Sequence, residues 1–160
     1  MFEIHTDPTL PKAQVYAELA ASAKALVSGE PDAIANMANL AALVWMSVPG
    51  LNWAGFYRVI ESELVLGPFI GKPACIRIPL GQGVCGTAAA TGATQLVPDV
   101  HQFPGHIACD AQSRSELVVP VIVEGAVRAV IDLDSPELNR FDSTDATGIE
   151  NLAAIVAAFL

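Results

Sequence analysis

Two apolar runs, "ELVVPVIV" and "AVRAVIDLD", flank the dipeptide Glu124-Gly125. Both are rich in β-branched residues, and a short connection ending in glycine readily joins antiparallel strands. The pair predicts a β-hairpin. So apolar a hairpin is not stable alone; it needs further strands beside it and helices over a face. "WAGFYRVI" and "ELVLGPF" repeat the arrangement around Glu61-Ser62, and "ACIRIPL" reads as another short strand. In "GQGVCGTAAATGATQ" the glycines permit a tight turn and the alanines one short helix before "QLVPDV".

Helical spacing governs the two ends. Tyr16, Leu19, Ala20, Ala23, Leu26 and Val27 recur at three- and four-residue steps, which predicts a helix from Pro11 to about Ser28. Pro31 suits the first turn of a second helix, with Ile34, Met37, Ala38, Ala41 and Val44 on its apolar face and Pro49-Gly50 as its stop. Ile149, Leu152, Ala153, Val156, Ala157 and Leu160 form one stripe of a last helix, capped by Asp142 or Ser143. Helices, then hairpin-linked strands, then a helix predict an α+β domain. Its antiparallel sheet should carry helices mainly on one face and, on the other, a pocket built partly from the long loop at residues 98–116. A chain of 160 residues, 52% of them hydrophobic, suits a single domain over residues 1–160.

The net charge of −9 disfavours nucleic acid and anionic membranes as partners. "NLAALVWMSVPG" is too short to span a bilayer, and "MFEIHTDPTL" lacks the basic start and apolar core of a secretory signal. A cytoplasmic protein with reduced thiols is the expectation. Cys75, Cys85 and Cys109 form no CxxC pair, and three is an odd number for a structural disulfide framework. His101, His106 and Cys109 lack paired-ligand spacing, so neither a metal nor a cofactor is expected.

Several side chains suggest chemistry. Asp132 and Asp134 stand two apart in "AVIDLDS", so a continuous strand points both to one face. This is either a solvated face or a paired-carboxylate site. Across the Glu124-Gly125 turn, a simple register puts Glu116 roughly opposite Leu133–Asp134, which brings three acidic groups together near Cys109. Cys109 itself lies in a polar loop that packing does not require. Cys85 falls near the start of the alanine-rich helix, where the helix dipole would lower its pKa. Trp53, Gly55 and Tyr57 share a strand face, and the glycine leaves a notch between two rings that suits a methyl or methylthio end.

"GQGVCGTAAATGATQLVPDV", the hairpin "SELVVPVIVEGAVRAVIDLDS" and "FDSTDATGIENLAAIVAAF" resemble GAF domains. More narrowly, "WAGFY", "LVLGPFIGKPACIRIPLGQGVCG", "VPDVHQFPGHIACDAQSRSE" and "VIDLDS" resemble the free methionine-(R)-sulfoxide reductases, which are single-domain GAF enzymes. The resemblance covers nearly the whole chain. It implies a thiol-dependent oxidoreductase that reduces free methionine-(R)-sulfoxide, with thioredoxin or a similar dithiol as reductant and a homodimer as the assembly. By the same resemblance Cys109 attacks the sulfoxide sulfur, Cys75 resolves the resulting sulfenic acid as a disulfide, and Cys85 is auxiliary. Glu116, Asp132 and Asp134 surround the substrate: Glu116 or Asp134 supplies the proton, and Asp132 holds the ammonium group. Trp53 and Tyr57 frame the methyl end. Three carboxylates near Cys109 oppose its ionisation. Backbone N–H groups of the "HIACD" loop, His106, Arg114, or ionisation upon substrate binding are the alternatives that would offset them. A GAF small-ligand sensor and a thiol redox sensor are the competing functions.

Overall fold

The computed structural model describes residues 9–105 and 111–160. Its elements run α1 (Lys12–Leu26), α2 (Ala33–Ser47), β1 (Trp53–Ile60), β2 (Glu63–Gly71), β3 (Arg77–Pro79), α3 (Gly83–Thr91), β4 (Gln95–Val97), β5 (Ser115–Val123), β6 (Ala126–Ser135) and α4 (Ser143–Ala157). The α+β expectation holds. Six strands form one antiparallel sheet in the order β3-β2-β1-β6-β5-β4. The two hairpins foreseen in the sequence are its middle, joined through β1 and β6. Glu124 and Gly125 both have positive φ, at 51° and 79°, which matches the twist of the strands they connect. The strand expected across "ACIRIPL" is shorter than its apolar run: only Arg77–Pro79 pairs with β2. Ile76 still accepts from the backbone N–H of Leu66, but residues 72–75 belong to no strand.

Period-two alternation divides the sheet into two cores. Ala54 and Phe56 of β1, Leu117, Val119 and Val121 of β5, and Ala129, Ile131 and Leu133 of β6 face α1, α2 and α4. The other face carries Trp53, Tyr57, Leu64, Val118 and Val130 under α3, whose Val84, Cys85 and Ala88 complete a smaller cluster. Helices thus lie mainly on one face, as expected, while α3 roofs part of the face that was to remain open.

Local chemistry fixes the helix ends. Asp32 caps α2, accepting from the backbone N–H of Ala35, so Pro31 precedes the helix and does not stand in its first turn as expected. Asp142 caps α4, accepting from the backbone N–H of Thr144 and Asp145, and the Asp145 carboxylate accepts from the N–H of Asp142. Buried Asp145 also accepts from Tyr16 Oη of α1 at 2.9 Å and pairs with Lys12 at 2.6 Å. That network ties the first helix to the last.

Two bulges set the site. In β5–β6 the register shifts between Val121 and Ile122, and Arg128 of β6 has no partner in β5. In β1–β2 it shifts between Gly55 and Tyr57, where Gly67 and Pro68 of β2 oppose Phe56 alone. Proline is tolerated in a strand at such a break.

Candidate active site

The β5–β6 bulge decides which way Glu116 points. Counting back from the turn without it, Glu116 would oppose Leu133, whose side chain enters the larger core. With it, Glu116 opposes Asp134 and shares a face with both aspartates. On the other side of β6, Trp53 pairs with Asp134 and Gly55 with Asp132. Trp53, Tyr57, Glu116, Asp132 and Asp134 therefore converge on the face beneath α3, and α3 adds Cys85. All six line one cavity of about 40 Å³, closed further by Lys72, Pro73, Ala74, Gln82 and Ser113.

Its floor is acidic and buried. Glu116 and Asp132 are each 6% exposed. Burial first, and then Asp132 and Asp134, hold the Glu116 carboxyl well above the usual carboxylate range. Burial likewise pushes Asp132 up to about 7, although hydrogen bonds from Cys85 and Glu116 act to lower it. The hydrogen bond between the two carboxyls therefore favours a proton on Glu116, donated to Asp132. Two acidic groups share a proton because like charges cannot both ionise at close range without solvent. Asp132 Oδ1 is buried and has no hydrogen-bond partner among the described residues.

Cys85 corrects one expectation. Its position near the start of α3 suggested a lowered pKa. Instead burial, followed by Asp132 and Glu116, pushes the thiol up. Desolvation and two carboxyls outweigh one short helix's dipole. Its Sγ lies 3.8 Å from Glu116 Oε1, so it is a neutral thiol among acids.

The aromatic notch is a second correction. A Cβ at Gly55 would meet Phe69 Cβ at 2.4 Å and Pro68 O at 2.8 Å, so the β2 bulge already fills that gap. The Phe69 ring stacks on Trp53 at 5.2 Å, and Trp53 on Tyr57 at 5.9 Å. The two aromatics still wall the cavity, and their polar tips have a task the sequence did not suggest. Trp53 Nε1 donates to Lys72 O at 3.2 Å, and Tyr57 Oη donates to Cys75 O at 3.0 Å. Burial and Asp132 keep the Tyr57 phenol protonated, as that donation requires. Residues 72–75 are pinned at both ends, and half-buried Cys75 is disulfide-bonded, whereas Cys85 is a free thiol.

Cys109 and His106 lie outside the described residues, as does all of "HIACD". Arg114 is exposed, and its backbone bonds to Ser135 and Val100. Lys72 and Ser113 were not singled out by sequence. Lys72 Nζ donates to Gln112 Oε1 at 2.6 Å, and Asn52 Nδ2 to Ser113 Oγ at 3.1 Å, so two loops distant in sequence meet at the cavity mouth. The only sequence signal for Lys72 was its place three residues before a cysteine. Among the described residues, no helix is long and apolar enough to cross a membrane.

A family model described as GAF domain matches residues 48–160, which makes this a GAF-domain protein with the fold expected from its motifs. Its relatives narrow the class. The free methionine-R-sulfoxide reductase of Escherichia coli (strain K12) is 48% identical over 143 residues, 89% of this chain and 87% of that one. The free methionine-R-sulfoxide reductase of Saccharomyces cerevisiae is 42% identical over 161 residues, 96% of this chain and 89% of that one. The X-ray structure of free methionine-R-sulfoxide reductase from Neisseria meningitidis in complex with its substrate superposes with a TM-score of 0.94 at 44% identity, covering 99% of this chain and 95% of that one. The chain belongs to the family of free methionine-R-sulfoxide reductases.

Proposed function

We propose that this chain is a thiol-dependent oxidoreductase that reduces free methionine-(R)-sulfoxide to methionine. The observation that carries the reading is the proton-sharing pair Glu116–Asp132, buried at the base of a cavity with aromatic walls. A sulfoxide oxygen leaves only once protonated, and a carboxyl kept neutral by burial near neutral pH can supply that proton. The sensor alternative gives such a proton no task.

The Cys109 thiolate attacks the sulfoxide sulfur while Glu116, or Asp134 beside it, protonates the oxygen. Methionine leaves, and the oxygen stays on Cys109 as a sulfenic acid. The Cys75 thiol displaces that oxygen as water and forms a disulfide with Cys109. A dithiol such as thioredoxin reduces the disulfide and is itself oxidised. Cys85 serves as an auxiliary group, and Asp132 receives the substrate ammonium. Trp53 and Tyr57 hold the methyl end along their ring faces, since the notch at Gly55 is filled. We place the enzyme in the cytoplasm, as one catalytic domain over residues 1–160 that assembles as a homodimer.

Turnover of free R and S methionine sulfoxide with dithiothreitol tests this. Methionine should form from the R isomer alone. Mass spectrometry after one turnover without reductant should find Cys75 linked to Cys109 and Cys85 free. Reduced, folded protein that is inactive on the R isomer overturns the reading.

A further inference from the structure

Cys85 is chemically awkward where it lies. A thiol 4% exposed needs no carboxyls around it to pack well, yet its sulfur and one oxygen each of Glu116 and Asp132 lie within 4.8 Å of one another. All three side chains are buried, and they line the same cavity. The Oδ1 atom of the Asp132 carboxyl is buried and has no hydrogen-bond partner among the described residues, a costly state for an acceptor. It therefore awaits a donor or a cation.

We infer that Cys85, Glu116 and Asp132 form a binding site for a zinc-type divalent cation, and that the bound cation competes with substrate. The spacing fits. Around a tetrahedral zinc, with Zn–S near 2.3 Å and Zn–O near 2.1 Å, sulfur and oxygen stand about 3.5 Å apart. Cys85 Sγ and Glu116 Oε1 are 3.8 Å apart, so an adjustment of a few tenths of an ångström suffices. The donor set selects for softness: a thiolate with two carboxylates favours zinc, cobalt or cadmium over magnesium or calcium, which take all-oxygen shells. Three protein ligands leave a fourth tetrahedral position, and the cavity has room for an ion and one water. Two anions and a thiolate more than offset the 2+ charge, and Asp134 beside them adds to the attraction. Lys72, which also lines the cavity, opposes it. The residue spacing carried no sign of this site, because the ligands come from α3, β5 and β6.

The competition rests on the proposed reductase activity; the metal site does not. The probe is cobalt(II), added to reduced protein whose Cys75 and Cys109 are both replaced by serine, so that Cys85 is the one thiol left. One equivalent should produce a near-ultraviolet thiolate-to-cobalt band together with the visible absorption of a tetrahedral ion. Adding Cys85→Ser should abolish the band, and adding Glu116→Gln should weaken cobalt affinity at least about tenfold while keeping it. In the wild-type chain, zinc should slow single-turnover methionine release at least about tenfold at low substrate, reversibly with a chelator and without added dithiol. No thiolate band in the Cys85-retaining protein, or a band that survives Cys85→Ser, overturns the site. A band in the doubly substituted protein, alongside a wild-type chain that does not reduce the R isomer, would uphold the site and overturn the function proposed above.

Discussion

Glu116 carries the most chemistry for one side chain. It is buried against Asp132 and within reach of a neutral thiol, and its carboxyl holds a proton that most surface glutamates lack at neutral pH. Glu116→Gln keeps the shape and can still donate a hydrogen bond to Asp132, but it has no acidic proton to give. We expect kcat to fall by roughly 10²–10⁴, the usual share of a positioned general acid, with KM changing far less. Steady-state kinetics on the R isomer measure this, and an unchanged kcat would transfer the role to Asp134. At this scale the sequence was informative about identity and poor about environment. The two aspartates two residues apart, and the aromatics four apart, could be placed on a face by counting. The rise of the Cys85 pKa, against the pull of its helix, could not, because burial depends on what packs above a residue.

At the scale of elements, hairpins and helices were legible because their periods and turn residues are local. Bulges were not, since an extra residue appears only when two strands pair. The β5–β6 bulge turns Glu116 from the core face to the acid face, and the β1–β2 bulge fills the notch at Gly55. Close helix packing was equally hidden. A Cβ on Gly148 of α4 would come within 2.1 Å of the Tyr16 ring of α1. Gly148→Ala must displace that ring and strain its hydrogen bond to Asp145. We expect a loss of about 1–3 kcal/mol from overpacking and a Tm lower by several degrees. The substitution is remote from the cavity, so methionine formation at low temperature should be nearly unchanged. Calorimetry and turnover on the same sample separate the two effects.

For the whole molecule, the buried acids set a pH dependence of stability. Asp132 has its carboxyl at about 7 in the folded chain against 3.8 as its ordinary value. The folded state therefore binds more protons than the unfolded state between these values, and stability falls as pH rises through the window. The slope reaches at most about 1.4 kcal/mol per pH unit for each proton of difference. Asp142 works the other way. Lys12 and backbone donors lower it to about 2, so its contribution is complete above its ordinary value of 3.8 and lost as pH falls through 2. It is exposed, so that contribution is small. Stability should peak on the acid side of neutrality, and urea unfolding should show the chain losing on the order of 1–3 kcal/mol from pH 5 to pH 8. Asp132→Asn should flatten that slope. A slope unchanged in this variant would remove Asp132 as its source.

By itself the sequence determined the α+β order of elements, the two hairpins, the cap of the last helix and the family motifs, because each is written in neighbours a few residues apart. It also supplied every acidic and aromatic side chain of the cavity. Tertiary structure alone decided the register that gathers Glu116, Asp132 and Asp134, the roof of α3 that dries them, and the pinning of residues 72–75 by Trp53 and Tyr57. Register, burial and closure are properties of surfaces that meet across the fold, and no local pattern of residues encodes the dielectric in which a carboxyl will lie.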